Sequence, residues 1–194
     1  MHATLTGGVA RYVKNDMAST LTPTTTDSST TIKNVYAYSG GLFSMENSGT
    51  IIKISKVTMS NTTVYTYGGV LNVLKGSSIS IADSVFTKIK SKTTEGSFIY
   101  STSTAITSIS MTNTELDCNN TYYYKAISNR SPSSSSTPKS AMVFYNTMSV
   151  VFKNNTIHNC IQGGAITMLA STFSDEGSSF YSNIKILAFN PIFR

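Results

Sequence analysis

Charge is the scarcest feature of this 194-residue chain: Asp, Glu, Lys and Arg make up 12% of it, against roughly 25% in ordinary globular proteins. Ala, Glu, Lys and Leu are also too scarce for a charged helical bundle or coiled coil, so those classes are excluded. No run approaches the ~18 consecutive apolar residues of a membrane helix, which excludes a helical membrane span. Residues 1–20 carry no signal-peptide core, because Gly7, Gly8, Arg11, Lys14 and Asp16 interrupt every candidate apolar stretch. Arginine occurs only at 11, 130 and 194. Nucleic-acid recognition is not expected, since nothing of its compositional footprint accompanies the net charge of +6.

What the chain does have is hydroxyl and apolar residues. Its 40% hydrophobic content excludes a disordered chain. Serine and threonine together number 59, and they are interspersed with Ile, Val, Tyr and Phe, the residues that favour strands. The expected class is all-β, with a surface kept soluble by hydroxyls, amides and 11 tyrosines. The lysines are scattered apart from Lys88, Lys90 and Lys92, which at strand spacing share one solvent-facing side.

Self-similarity decides the architecture. Gly-Gly pairs followed by two apolar residues begin at Gly40, Gly68 and Gly163, with a degenerate copy at Gly96 and a weaker one at Ser140-Ala141-Met142-Val143. In phase with them runs a second element, which starts with an apolar residue at Ile54, Ile81, Met111, Phe152 and Phe180. Two places later stand Lys56, Asp83, Asn113, Asn154 and Ser182. Five places after the first come Met59, Phe86, Leu116 and Ile157, and the fifth copy breaks the rule at Lys185. Alternation within each unit is that of a half-buried strand. A five-residue step would turn the second apolar residue outward unless the chain bends between the two, and Asn or Asp suits such a bend.

Strand, corner, strand and a glycine-started third strand, returning at a period of about 28 residues, describe one coil of a solenoid. The expected fold is a single-stranded right-handed parallel β-helix of about five to six coils. A sandwich gives no reason for a Gly pair to recur in phase with an Ile/Phe motif, and a propeller blade needs about 40 to 50 residues. The expected organisation is an N-terminal coil or Ser/Thr-rich lead-in at 1–34, coils at 35–125, a Ser/Pro-rich inserted loop at 126–140, and further coils at 141–194.

Phe152-Lys153-Asn154-Asn155 followed by Gly163-Gly164-Ala165-Ile166, with Phe180-Tyr181-Ser182-Asn183 as a second F-x-x-N, resembles the repeats of the chlamydial polymorphic outer membrane proteins. Full motifs cover about residues 150–185. The resemblance implies a right-handed β-helix surface protein with adhesive and structural roles, and it brings no catalytic residues with it.

Candidate sites are few. Enzymes of this fold that cleave acidic polysaccharides, such as pectate lyases, need clustered carboxylates with calcium or an acid and base pair. Here Asp175 and Glu176 are adjacent and point opposite ways on a strand, and Asp83, Asp117 and Glu115 are assigned to different coils. No catalytic, metal or cofactor site is expected; His158 and Cys160 lack two further ligands for a metal. Lys56, Asp83, Asn113 and Asn154 should stack as a ladder at a corner. Cys118 and Cys160 fall within a residue of register on adjacent coils, close enough for a disulfide, with two buried thiols as the alternative. N-x-S/T sequons place candidate glycosylation at Asn61, Asn119, Asn129 and Asn154.

The function expected is that of a non-catalytic extracellular or cell-surface structural and adhesive glycoprotein, read as a fragment lacking its signal peptide. Its partners are surfaces, glycans or copies of itself, and one version stacks end to end into a filament. The alternative is a polysaccharide-binding or polysaccharide-cleaving β-helix protein.

Overall fold

A computed structural model describes residues 10–12, 29–46, 48–91, 96–102, 107–118, 140–160, 164–183, 187–188 and 192–193. All its regular elements are strands, arranged in three parallel sheets. In chain order they are β1 (Ala10–Tyr12), β2 (Thr30–Ala37), β3 (Phe43–Met45), β4 (Thr50–Ser55), β5 (Val57–Val64), β6 (Leu71–Val73), β7 (Ser77–Ala82), β8 (Val85–Ser91), β9 (Ile99–Ser101) and β10 (Ser108–Thr112). They continue as β11 (Glu115–Asp117), β12 (Met142–Tyr145), β13 (Ser149–Lys153), β14 (Thr156–His158), β15 (Ile166–Leu169), β16 (Thr172–Glu176), β17 (Ser179–Tyr181), β18 (Leu187–Ala188) and β19 (Ile192–Phe193).

Sheet 1 orders β2-β5-β8-β11-β14-β17, sheet 2 orders β1-β3-β6-β9-β12-β15-β18, and sheet 3 orders β4-β7-β10-β13-β16-β19. The chain therefore visits one strand of each sheet and returns one rung higher, always parallel to itself. This is a right-handed parallel β-solenoid, the hand that parallel crossovers adopt. β1 and β2 bring parts of the segment before residue 35 into the stack.

Alternation fills the interior with columns of like side chains. Ile52, Ile79, Ile109 and Val150 form one column of sheet 3, and Ile54, Ile81, Met111 and Phe152 the next. Met59, Phe86, Leu116 and Ile157 form the facing column of sheet 1. Phe43, Leu71, Ile99, Met142 and Ile166 form that of sheet 2. All of these are buried in one core, each worth about 1.5–3 kcal/mol relative to exposure.

The corner between sheets 3 and 1 is the bend required by the five-residue step. Lys56, Asp83, Asn113 and Asn154 all adopt positive φ there, between 47° and 53°, and Asn113 Nδ2 donates to Asp83 Oδ1 at 3.1 Å. The next residue turns inward and joins its rung to its neighbour. Val57 N–H donates to Ser84 Oγ over a separation of 27 residues, and Thr114 N–H donates to Asn155 Oδ1 over 41. Asn155 N–H donates to Ser178 Oγ over 23.

That last interval corrects the expected alignment. Phe180 pairs with Ile157 and not with Phe152, whose register partner is Asp175. The ladder therefore ends at Gly177, whose φ is 74°, and Ser182 lies outside it. The turn has shortened, so the second F-x-x-N occupies the following corner. The weak copy at Ser140 also shifts by one: Met142 pairs with Ile166, which places Ser140 opposite the second glycine of the pair, Gly164.

A second corner, which no motif in the sequence announces, divides sheet 1 itself. Asn34, Asn61, Lys88, Asn159 and Ser182 all have φ between 53° and 59°. The left-handed residue resets the alternation, so Val35, Thr62 and Ile89 point inward just after it. Asparagine tolerates this conformation better than most residues. At the corner before sheet 2, Gly40 and Gly68 have φ of 57° and 64°, and a Cβ on either would lie 2.2 or 2.0 Å from a carbonyl oxygen of Phe43 or Leu71. Their partners Gly41 and Gly69 meet the adjacent rung just as closely, so both glycines of the pair are required.

Candidate functional site

The outer face of sheet 1 gathers most of the chemistry in the described residues, and its character changes part-way along the rod. On β2, β5 and β8 every charged residue is a lysine: Lys33, Lys88 and Lys90. Tyr36, Tyr38 and Tyr65 expose 49%, 50% and 59% of their surface beside them. On β11 both charged residues are carboxylates, Glu115 and Asp117.

The acidic half is a connected network. Because β11 pairs with β14 and β14 with β17, Asp117, His158 and Tyr181 stand in one outward column. Glu115 and Asp117 share one strand, which corrects their assignment to different coils. His158 Nε2 lies 3.0 Å from Glu115 Oε1, and the Tyr181 ring stacks on the imidazole with centroids 4.8 Å apart. Asn159 Nδ2 donates to Asp117 Oδ1 at 2.9 Å and lies 2.9 Å from His158 Nδ1. An amide nitrogen only donates, so Nδ1 is the acceptor, and in the neutral ring Nε2 carries the proton toward Glu115. Both ring nitrogens are thus engaged, and only 12% of the histidine side chain is exposed. This arrangement orients an imidazole firmly, but it holds no nitrogen ready to take a proton from a substrate.

Directly beside the network lies the disulfide. Cys118 and Cys160 are bonded, with Cα atoms 4.8 Å apart and 42 residues between them. Cys160 N–H donates to Asn183 Oδ1 at 2.8 Å, and Asn183 Nδ2 donates to the Ile157 carbonyl at 2.9 Å. The first F-x-x-N asparagine does the same one corner earlier, with Asn155 Nδ2 donating to the Met111 carbonyl at 2.8 Å. The motif is therefore a corner device: its asparagine closes one N–H and one C=O of the preceding rung.

Of the sequon asparagines, Asn61 and Asn154 are exposed, and both sit at positive φ in the two ladders. The Asn61 amide donates to Asn34 Oδ1 at 2.6 Å. Asn119 and Asn129 lie outside the described residues, as do Lys92 and all of the inserted loop except Ser140. Asp175 and Glu176 are exposed on β16, and Glu176 accepts an ion pair from Lys153 at 3.0 Å. Among the described residues no group of three or more His, Cys, Asp or Glu could hold a metal ion, and no helix is long and apolar enough to cross a membrane.

Comparison with known proteins finds no matching family model, curated protein or solved structure. The fold therefore stands on its own strand register, and the functional reading rests on residues.

Proposed function

We propose that this protein is a non-catalytic extracellular or cell-surface solenoid with a structural and adhesive role. The observation that carries the reading is the Cys118–Cys160 bond, which joins adjacent rungs just after the paired strands β11 and β14. Such a bond persists in oxidising surroundings outside the cytosol and is rare within it. The hydroxyl-rich outer columns support the same reading. Ser78, Ser108 and Ser149 form one column of sheet 3, and Ser80 and Ser110 lie in the next. They present wettable rows of hydroxyls, the second of which begins at Lys53 of β4, suited to contact with other surfaces. The G-G-A-I and F-x-x-N resemblance to chlamydial surface repeats agrees with it.

The end-to-end version of the proposal is weakened by one residue. Asp175 occupies the inward column above Phe152 and is exposed, outside the two residues of β16 that pair with β19, and an inward-pointing charge at such a position discourages further strand addition. The proposed adhesive surfaces are therefore the lateral faces.

The test is surface labelling of cells that make the protein, followed by non-reducing peptide mapping. Recovery of a Cys118–Cys160 linked peptide from surface-labelled material is expected. Protein found only inside the cell, with both thiols open to alkylation, would overturn the reading. The alternative, polysaccharide cleavage, would rest on the two carboxylates of β11, Glu115 and Asp117, since both nitrogens of His158 are engaged. It predicts release of new chain ends from polygalacturonate that disappears in the Glu115→Gln variant.

A further inference from the structure

We propose that the basic half of sheet 1 is a binding platform for an acidic polysaccharide, carboxylated or sulfated, laid along the rod. The proposal rests on the surface-protein reading above and names the partner of its lateral face. Charge selects the class of ligand: the charged residues of β2, β5 and β8 are Lys33, Lys88 and Lys90, with no carboxylate among those strands. Beyond them the sign reverses at Glu115 and Asp117, which marks where an anionic chain would cease to be held.

Aromatic residues select a sugar over a simple anion. Tyr36 and Tyr38 project from β2 and the corner after it, and Tyr65 stands one rung above Tyr38, where Thr66 N–H donates to the Tyr38 carbonyl at 2.8 Å. All three expose about half of their surface or more. Rungs rise by about 4.8 Å, close to the length of one sugar unit in an extended chain, so successive rungs meet successive rings. Between lysines and tyrosines lie Ser60, Asn61, Thr63 and Thr87 on β5 and β8, which supply hydroxyl and amide partners for sugar hydroxyls. A tyrosine offers an apolar ring face with a polar tip, the combination that contacts a pyranose face while remaining wet.

The experiment measures binding of the purified chain to polygalacturonate and to heparin at low and physiological salt, with neutral dextran and phosphatidylserine vesicles alongside. Wild-type protein is expected to bind both acidic polymers and to weaken as salt rises. The Lys88→Asn/Lys90→Gln variant should bind on the order of tenfold more weakly, as the loss of two surface charge contacts implies. Asparagine at 88 keeps a residue that suits positive φ. Tyr36→Ser/Tyr65→Ser, which leaves net charge unchanged, should weaken binding comparably, and Glu115→Gln/Asp117→Asn should not weaken it. Circular dichroism checks folding, and Lys33→Gln, at an exposed edge position, repeats the charge test if a double variant fails to fold.

Tyrosine variants that bind like wild type would reduce the effect to net charge and overturn the proposal, as would binding to vesicles but not to either polymer. Neither result touches the surface location or the disulfide, so failure here is distinguishable from failure of the broader reading.

Discussion

A single buried asparagine shows how this fold satisfies its corners. Asn155 is 1% exposed, accepts from Thr114 N–H, and donates to the Met111 carbonyl while its own N–H reaches Ser178 Oγ. Replacing it with alanine leaves the Thr114 donor and the Met111 acceptor buried and unpaired, at a cost of about 2–4 kcal/mol. Urea unfolding of Asn155→Ala should show a loss of that size, and a loss under 0.5 kcal/mol, on the order of an ordinary surface substitution, would show that water takes over both bonds. Gly69 makes a steric demand in place of a polar one. A Cβ there would stand 2.2 Å from the Ser97 carbonyl oxygen and 2.2 Å from Ile89 Cγ2, contacts that require two rungs to separate. Gly69→Ala should therefore be among the most damaging single-methyl changes in the chain, readable as loss of soluble expression or a sharp fall in Tm; tolerance of it would mean that the rung spacing there is looser than the backbone indicates.

At the scale of strands and corners, legibility depended on whether spacing alone carried the signal. The corner between sheets 3 and 1 was readable because Ile54 and Met59 are an odd number of residues apart and both must face inward. The corner within sheet 1 was not, since Lys88 stands in its asparagine column and a lysine gives no sign of a left-handed turn. The Asp117–His158 pairing was within reach, because the long 41-residue interval that aligns Thr114 with Asn155 also aligns these two. Motif identity misled at the fifth rung: F-x-x-N recurs there, but the turn before it is short, and the repeat lands one corner later. The consequence is Asp175 in a column otherwise filled by Ile54, Ile81, Met111 and Phe152. If that charge limits rung addition, Asp175→Leu should raise self-association in sedimentation velocity at concentrations where the wild type sediments as a smaller species. Identical sedimentation of the two would assign the residue no such role.

For the molecule as a whole, stacking makes stability local. Each rung bonds only to the rungs above and below it, so the rod behaves as a chain of nearest-neighbour interfaces, without one uniformly coupled core. The Cys118–Cys160 bond closes a 42-residue separation across one such interface, and bonds of this kind contribute about 2–4 kcal/mol by restricting the unfolded chain. Locality decides where that contribution should be felt. Reduction ought to speed amide hydrogen exchange at Leu116 and Ile157, which face each other across β11 and β14, while Ile52 and Ile79, paired across β4 and β7, keep their protection. Hydrogen exchange with peptide-level resolution, before and after reduction, separates the two regions. Uniform acceleration along the rod would instead show that the rungs open as one cooperative unit. In that case the disulfide would stabilise all the lateral faces together, the lysine and tyrosine face included.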